Sequence, residues 1–410
     1  MAAKTTQSQV VSLQTDSTVR DAARLYYVDW LRVIATVGVF VFHASDVFNV
    51  SDFVIKNAET SLAVTVFQAF FFPWGMPLFF LIAGAGTWFA LRRRSAGQYT
   101  RERSSRLLMP FIFGSLLLGP IQLFLEWSNK TQRGVRQGPF FEFVKGRPWS
   151  IGPRFFGVVG YHMWFLGFLF CFSLLSLPLF LWFKGASGQR FVSRIARLCE
   201  RRGGILLFIL PLALVRLGLH PFFPYEHDWA DFFSFMSFFI LGYLLFADKR
   251  FAQAIRRDWP ITLSVGIAAF LAFAAMALLT GDINIEAAPR TLLDFAWWGL
   301  VAVNSWCWTA FMLFIGMRYL NHTNKWLQYG QEAILPFYVV HQPVIVVIAY
   351  FVVQWNVGML PKMLAVFVGS FVVSIGLYEL IIKRVGILRA MVGMKAGHPD
   401  KARVAAVTGG

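Results

Sequence analysis

The chain is divided by short polar and basic segments into about ten apolar stretches, most of them near the length that crosses a hydrocarbon layer. They fall near 31–49, 62–91, 107–126, 162–183, 204–220, 231–247, 260–280, 292–316, 333–353 and 361–382. In lipid no water is at hand for an exposed amide, so each stretch must close its backbone hydrogen bonds internally as a helix. The balance of residues agrees: 57% of the 410 are hydrophobic and only 14% charged, too apolar for one soluble core. The expected fold is therefore all-α, a polytopic transmembrane bundle of about ten helices. In the second stretch, Phe72-Pro73-Trp74-Gly75-Met76-Pro77 holds two prolines that remove backbone donors, and a kink or interruption is expected there.

Flanking charge gives the orientation. Arg92, Arg93, Arg94, Arg101, Arg103 and Arg106 lie in one set of connections, with Lys184, Arg190, Arg194, Arg197, Arg201 and Arg202 further on, then Lys249, Arg250, Arg256 and Arg257. Lys383, Arg384, Arg389 and Lys395 belong to the same set, whereas the opposite short connections carry only Lys56 and Arg290. This asymmetry predicts both termini in the cytoplasm. The formal charge of +17 is then a matter of topology and anionic lipid, and no nucleic-acid partner is called for. One outer loop, near 127–161, departs from the pattern with Lys130, Arg133, Arg136, Lys145, Arg147 and Arg154; a translocated loop tolerates such charge, which could also attract an anionic acceptor. Residues 1–25 are polar and rich in Ser, Thr and Gln and read as a disordered cytoplasmic tail without a cleavage site. Residues 26–385 form the transmembrane domain, and 386–410 a cytoplasmic C-terminal tail. Cys171 and Cys307 sit in apolar runs, so neither a disulfide framework nor a redox motif is indicated; the histidines lack ligand spacing, so no metal is implied.

Chemistry concentrates in the first stretch, where ten residues separate Arg32 from His43. Eleven steps at about 100° make nearly three turns, which places both side chains on one helix face, about 16 Å apart along the axis. Ionisable groups inside a membrane helix are costly and commonly mark a site; the alternative is an arginine snorkelling to headgroups and a histidine bonded to a neighbouring helix. In the expected orientation Arg32 lies at the cytoplasmic mouth and His43 toward the outer side. An arginine there can hold a phosphate, and a histidine deeper in can take a proton from a hydroxyl. A donor that is anionic at one end and reactive at the other suits the pair, and coenzyme A thioesters have that form.

These residues resemble the acyltransferase-3 family of integral membrane acyltransferases, and within it the branch of glucan-succinylating proteins. The family's hallmark, an Arg or Lys followed after ten residues by His with an Asp shortly before, is matched by Asp29, Arg32 and His43. Pro77-Leu-Phe-Phe-Leu-Ile-Ala-Gly84 is similar to a Phe-Phe-x-x-Ser-Gly signature, with Ala83 in place of serine. Arg103-Ser-Ser-Arg106-Leu-Leu-Met-Pro110, His162-Met-Trp164-Phe-Leu166 and Pro336-Phe-Tyr-Val-Val-His341-Gln-Pro343 resemble three further family motifs, in order from about residue 25 to 385.

The resemblance implies O-acyl transfer from cytoplasmic acyl-CoA, the donor substrate, to a hydroxyl of a glycan, lipid or other acceptor, with no permanently bound cofactor. It implies a multi-pass protein of the bacterial inner membrane. His43 is the expected general base, with Asp29, Arg32, His162 and His341 as further catalytic candidates. Arg32, Arg103 and Arg106 would bind donor phosphates, against the plainer reading of the two loop arginines as positive-inside anchors. His162 and His341 read equally as structural hydrogen-bonding groups between helices. Trp164, Arg216 and Glu226 are the candidate acceptor-binding residues; Arg216 with Glu226, His227, Asp228 and Asp231 also reads as an interfacial salt-bridge cluster. Trp297, Trp298, Trp306 and Trp308 read as interface and packing aromatics. The competing class is a transporter or flippase, which would show similar spans and buried charge without chemistry at His43. A haem-binding electron carrier would need paired histidines facing one another across helices.

Overall fold

A computed structural model describes residues 25–147, 152–280 and 291–394, and those residues form helices joined by short connections. The expected tail at 1–25 lies, but for Leu25, outside the described residues, as do residues 395–410. Among the described residues, eight helices are long and apolar enough to cross a bilayer, or nine if one bent pair is a single span. We name the main segments α1 (Tyr26–Asp46), α2 (Leu62–Arg93), the bent pair α3 (Ala96–Leu117) and α4 (Gly119–Gln132), and α5 (Arg154–Leu175). There follow α6 (Gly204–Leu219), α7 (Trp229–Ala247), α8 (Lys249–Thr280), α9 (Leu292–Tyr319), α10 (Lys325–Val352) and α11 (Met359–Ile382).

The expected ten is not reached among the described residues, for local reasons. The 204–220 stretch opens as a 3-10 turn over Gly204–Phe208 and, as α6, is shorter than a full span. The third span bends by 41° at the Leu118 junction, where Gly119-Pro120 removes an amide donor. The 162–183 stretch starts earlier, at Arg154, and stops at Ser176 before Pro178. The 260–280 span begins at Lys249, since Pro260 is accommodated inside a continuous helix.

Of the kink or interruption expected in α2, the interruption is not found: Leu62–Arg93 is one helix through Pro73 and Pro77. Pro77 has no N–H for the Pro73 carbonyl, and the Ser305 hydroxyl of α9 lies against it, its one hydrogen shared between Pro73 O at 2.5 Å and Val301 O of its own helix at 2.7 Å. The α2 helix also packs closely on α7. A Cβ added to Gly84 would overlap the Phe239 carbonyl oxygen, and one added to Gly242 would overlap that of Leu81. Gly84 of the second motif thus serves backbone-to-backbone contact between spans. Beyond α11, Gly386–Met391 forms a further short helix, and Val392 is buried.

Candidate active site

α1 carries both members of the Arg–His pair on an unbroken helix. At its C-terminal end the His43 ring meets Asp46 one turn on, with Nδ1 3.1 Å from Asp46 Oδ2. A carboxylate only accepts, so this contact places a ring hydrogen on Nδ1, and in the neutral imidazole the lone pair is then on Nε2. Asp46 is held in turn. Its Oδ1 accepts from Gln68 Nε2 at 2.7 Å and from Asn49 Nδ2 at 3.3 Å, and Asn49 also donates to Gln68 Oε1. Lys56, whose place in the sequence is an outer loop, is buried; its Nζ donates to Asp46 O (2.8 Å), Asn49 O (2.6 Å) and Asn49 Oδ1 (2.7 Å). Burial draws the Lys56 ammonium down to about 8, against the opposing pull of Asp46 and Asp52. The partner of His43 was therefore missed in the sequence, although an aspartate three residues after a helical histidine is a legible signal.

The structure brings three of the candidate histidines together. The His43 and His341 ring centroids are 5.6 Å apart, and those of His341 and His162 are 5.0 Å apart in an edge-on arrangement. His341 Nδ1 lies 2.7 Å from Tyr338 O, while His162 Nε2 faces the carbonyls of Tyr338 and Val339. A fourth histidine, His227, lies in the connection before α7 with a positive φ of 59°. Its backbone N–H donates to Asp231 Oδ2 at 2.7 Å. Burial lowers its imidazole to about 4, with Asp231 opposing and Arg154 and His43 adding to the depression. It is neutral near pH 7 and within electrostatic reach of His43.

The proposed acceptor residues also converge. Trp164, Arg216 and Glu226 line one cavity of about 100 Å³ together with His227, Asp231 and the proline segment of α2. Arg216 is ion-paired with Asp231 and lies 4.0 Å over the Trp298 ring, so the salt bridge and the cavity wall are the same feature. The His227 and Trp164 ring centroids are 4.3 Å apart, with the planes tilted by 41°. Trp297, Trp298, Trp306 and Trp308 are all buried, as packing aromatics should be. The basic segment near 127–161, by contrast, is engaged by protein carboxylates: Lys130 and Arg147 each lie 3.0 Å from Glu126, and Lys130 also contacts Asp52.

At the other end of α1, Arg32 Nη1 is 3.4 Å from Asp29 Oδ1, and its side chain is about a third exposed. Its Nη2 comes within 3.7 Å of where a Cβ on Gly86 would sit. Arg103 reaches the next residue of α2, with Nη2 3.2 Å from Thr87 Oγ1 and its guanidinium 5.1 Å over the Tyr99 ring. Arg106 turns instead to Glu102, at 3.4 Å, which also holds Arg94. Arg32 and Arg103 thus flank one stretch of α2, and Arg106 does not join them.

A bundle of apolar helices enclosing a histidine–carboxylate pair, with a guanidinium three turns away on the same helix, defines a polytopic membrane protein built around a buried basic centre. Residues 25–379 match the family described as an acyltransferase domain, the acyltransferase-3 family, and the chain belongs to it. It is also similar to proteins named glucans biosynthesis protein C from Salmonella paratyphi A, Salmonella agona and Salmonella dublin. Each is 22% identical over 333 residues, which cover 78% of this chain and 82% of the relative. No solved structure matches the chain significantly.

Proposed function

We propose that this membrane acyltransferase moves an acyl group from cytoplasmic acyl-CoA to a hydroxyl of a glycan or similar acceptor, at the outer side of a bacterial inner membrane. The observation that carries the reading is the His43–Asp46 contact at 3.1 Å on the helix that also bears Arg32. With its hydrogen held toward Asp46, His43 Nε2 is free to take the proton of an acceptor hydroxyl as that oxygen attacks the thioester carbonyl. The new C–O bond forms as the C–S bond breaks, and coenzyme A leaves as the thiol once it gains a proton. Arg32 and Arg103 would bind the phosphates of the donor, about 16 Å of helix away, with the pantetheine arm spanning the interval. The cavity under Trp164, Arg216, Glu226 and His227 would seat the acceptor: an aromatic face and paired charges suit a polyhydroxylated ring. The Salmonella relatives are named glucans biosynthesis protein C, which supports a glycan acceptor.

Radiolabelled succinyl-CoA offered to the purified protein with an isolated glucan fraction tests this. Label is expected to enter the glucan as an alkali-labile ester, and His43→Ala is expected to lower the rate at least about 100-fold. If His43→Ala transfers label as fast as the parent, or if the parent only carries an unmodified solute across vesicles, the proposal fails.

A further inference from the structure

Pro343 leaves a gap in the hydrogen bonding of α10. Without an amide hydrogen it cannot serve the Val339 carbonyl four residues back, and an orphaned carbonyl in the hydrocarbon region is costly. The gap is met from another helix: His162 Nε2 lies 3.3 Å from Val339 O and 3.1 Å from Tyr338 O. Both are acceptors, so Nε2 carries the ring hydrogen. The clamp is reciprocal, since the Tyr338 hydroxyl donates to the His162 carbonyl at 2.5 Å. Tyr338 O accepts again from His341 Nδ1, which by the same reasoning leaves the lone pair of His341 on Nε2. His341 is 1% exposed, and its Nε2 has no hydrogen-bond partner among the described residues, although the ring lies beside that of His43.

We propose that His162 is a positioning residue: it fills the donor vacancy left by Pro343, fixes the turn that sets the His341 tautomer, and leaves His341 Nε2 as a second hydrogen-bond acceptor beside His43. The proposal builds on the acyl-transfer reading only for the use made of His341; the clamp itself does not depend on it. His162 would then contribute an N–H, not a base, and any side chain that delivers an N–H to the same place could replace it.

Two measurements on the full-length protein decide this. The first is a double-mutant cycle on apparent thermal stability in detergent, which needs no substrate. His162→Ala is expected to lower the melting temperature by a few degrees in the parent, and by less than half as much when combined with Pro343→Ala, whose restored amide closes on Val339. An equal loss in both backgrounds overturns the proposal. The second is transfer of label from succinyl-CoA to the glucan fraction. His162→Gln, which keeps a donor of similar reach, is expected to retain most of the rate with an unchanged pH profile, whereas His341→Gln is not. A stable His162→Gln protein as inactive as His43→Ala overturns the proposal. If the parent transfers no label at all, the acyl-transfer reading fails, and the thermal cycle still decides the clamp.

Discussion

In the proposed reaction a single carboxylate decides whether His43 can act as a base. Asp46 fixes the ring hydrogen on Nδ1, and Asn49, Gln68 and Lys56 hold Asp46 in place through the contacts that converge on it. Replacement of the carboxylate by the isosteric amide keeps the shape but offers an N–H to His43 Nδ1, which moves the ring hydrogen to Nε2 and removes the lone pair from the reacting side. Asp46→Asn is therefore expected to lower kcat by about 100-fold to 10,000-fold with little change in KM for the acyl donor, as read by steady-state label transfer. An unchanged kcat would remove Asp46 from the catalytic unit. Lys56 illustrates why composition misleads at this scale. Counted as a charge, it belongs to the outer surface; in the fold it is 5% exposed with its three hydrogens directed to three oxygens.

Helices in this protein are completed by their neighbours. α2 runs unbroken through two prolines because Ser305 of α9 bonds the carbonyl that Pro77 cannot serve, and α10 carries Pro343 with the corresponding help of His162. The α2–α7 contact has the same character, with glycine on each helix facing a carbonyl on the other. Gly242→Ala places a methyl group on the Leu81 carbonyl, so the helices must separate, at a cost of about 1–3 kcal/mol or more. Gly218→Ala, which adds a methyl where nothing lies within 4 Å, is the matched control. The expectation is a lower apparent melting temperature and poorer monodisperse yield for Gly242→Ala and parent-like behaviour for Gly218→Ala. Equal behaviour of the two would show that the close approach is dispensable.

For the whole molecule the governing question is which face meets the cytoplasm. The arginine-rich turn after α2 and the Lys56 loop lie at opposite ends of α2, and the donor end of the proposed path belongs with the first. In a variant without native cysteines, Cys introduced at exposed Gly97 is expected to react with an impermeant maleimide only after the membrane is opened. Cys introduced at exposed Glu59 is expected to react in intact spheroplasts. The reverse pattern would invert the path and place Arg32 on the wrong side for a cytoplasmic donor.

The sequence by itself determined the solvent and the material: runs of apolar residues separated by basic turns require membrane helices, because hydrocarbon forces each backbone to satisfy itself within one segment. Helical period also placed Arg32 and His43 on one rod, since that spacing is local. Only the tertiary structure decided what those groups face. It set His341 beside His43 across nearly 300 residues of chain and His162 beside His341, and it drew Trp164, Arg216 and Glu226 around one cavity. It also separated Arg106 from Arg103 and kept α2 whole where its own prolines argued for a break. The reason is the same in each case: the missing donor, the charge partner and the neighbouring ring are supplied by other helices, and no periodicity within one segment records them.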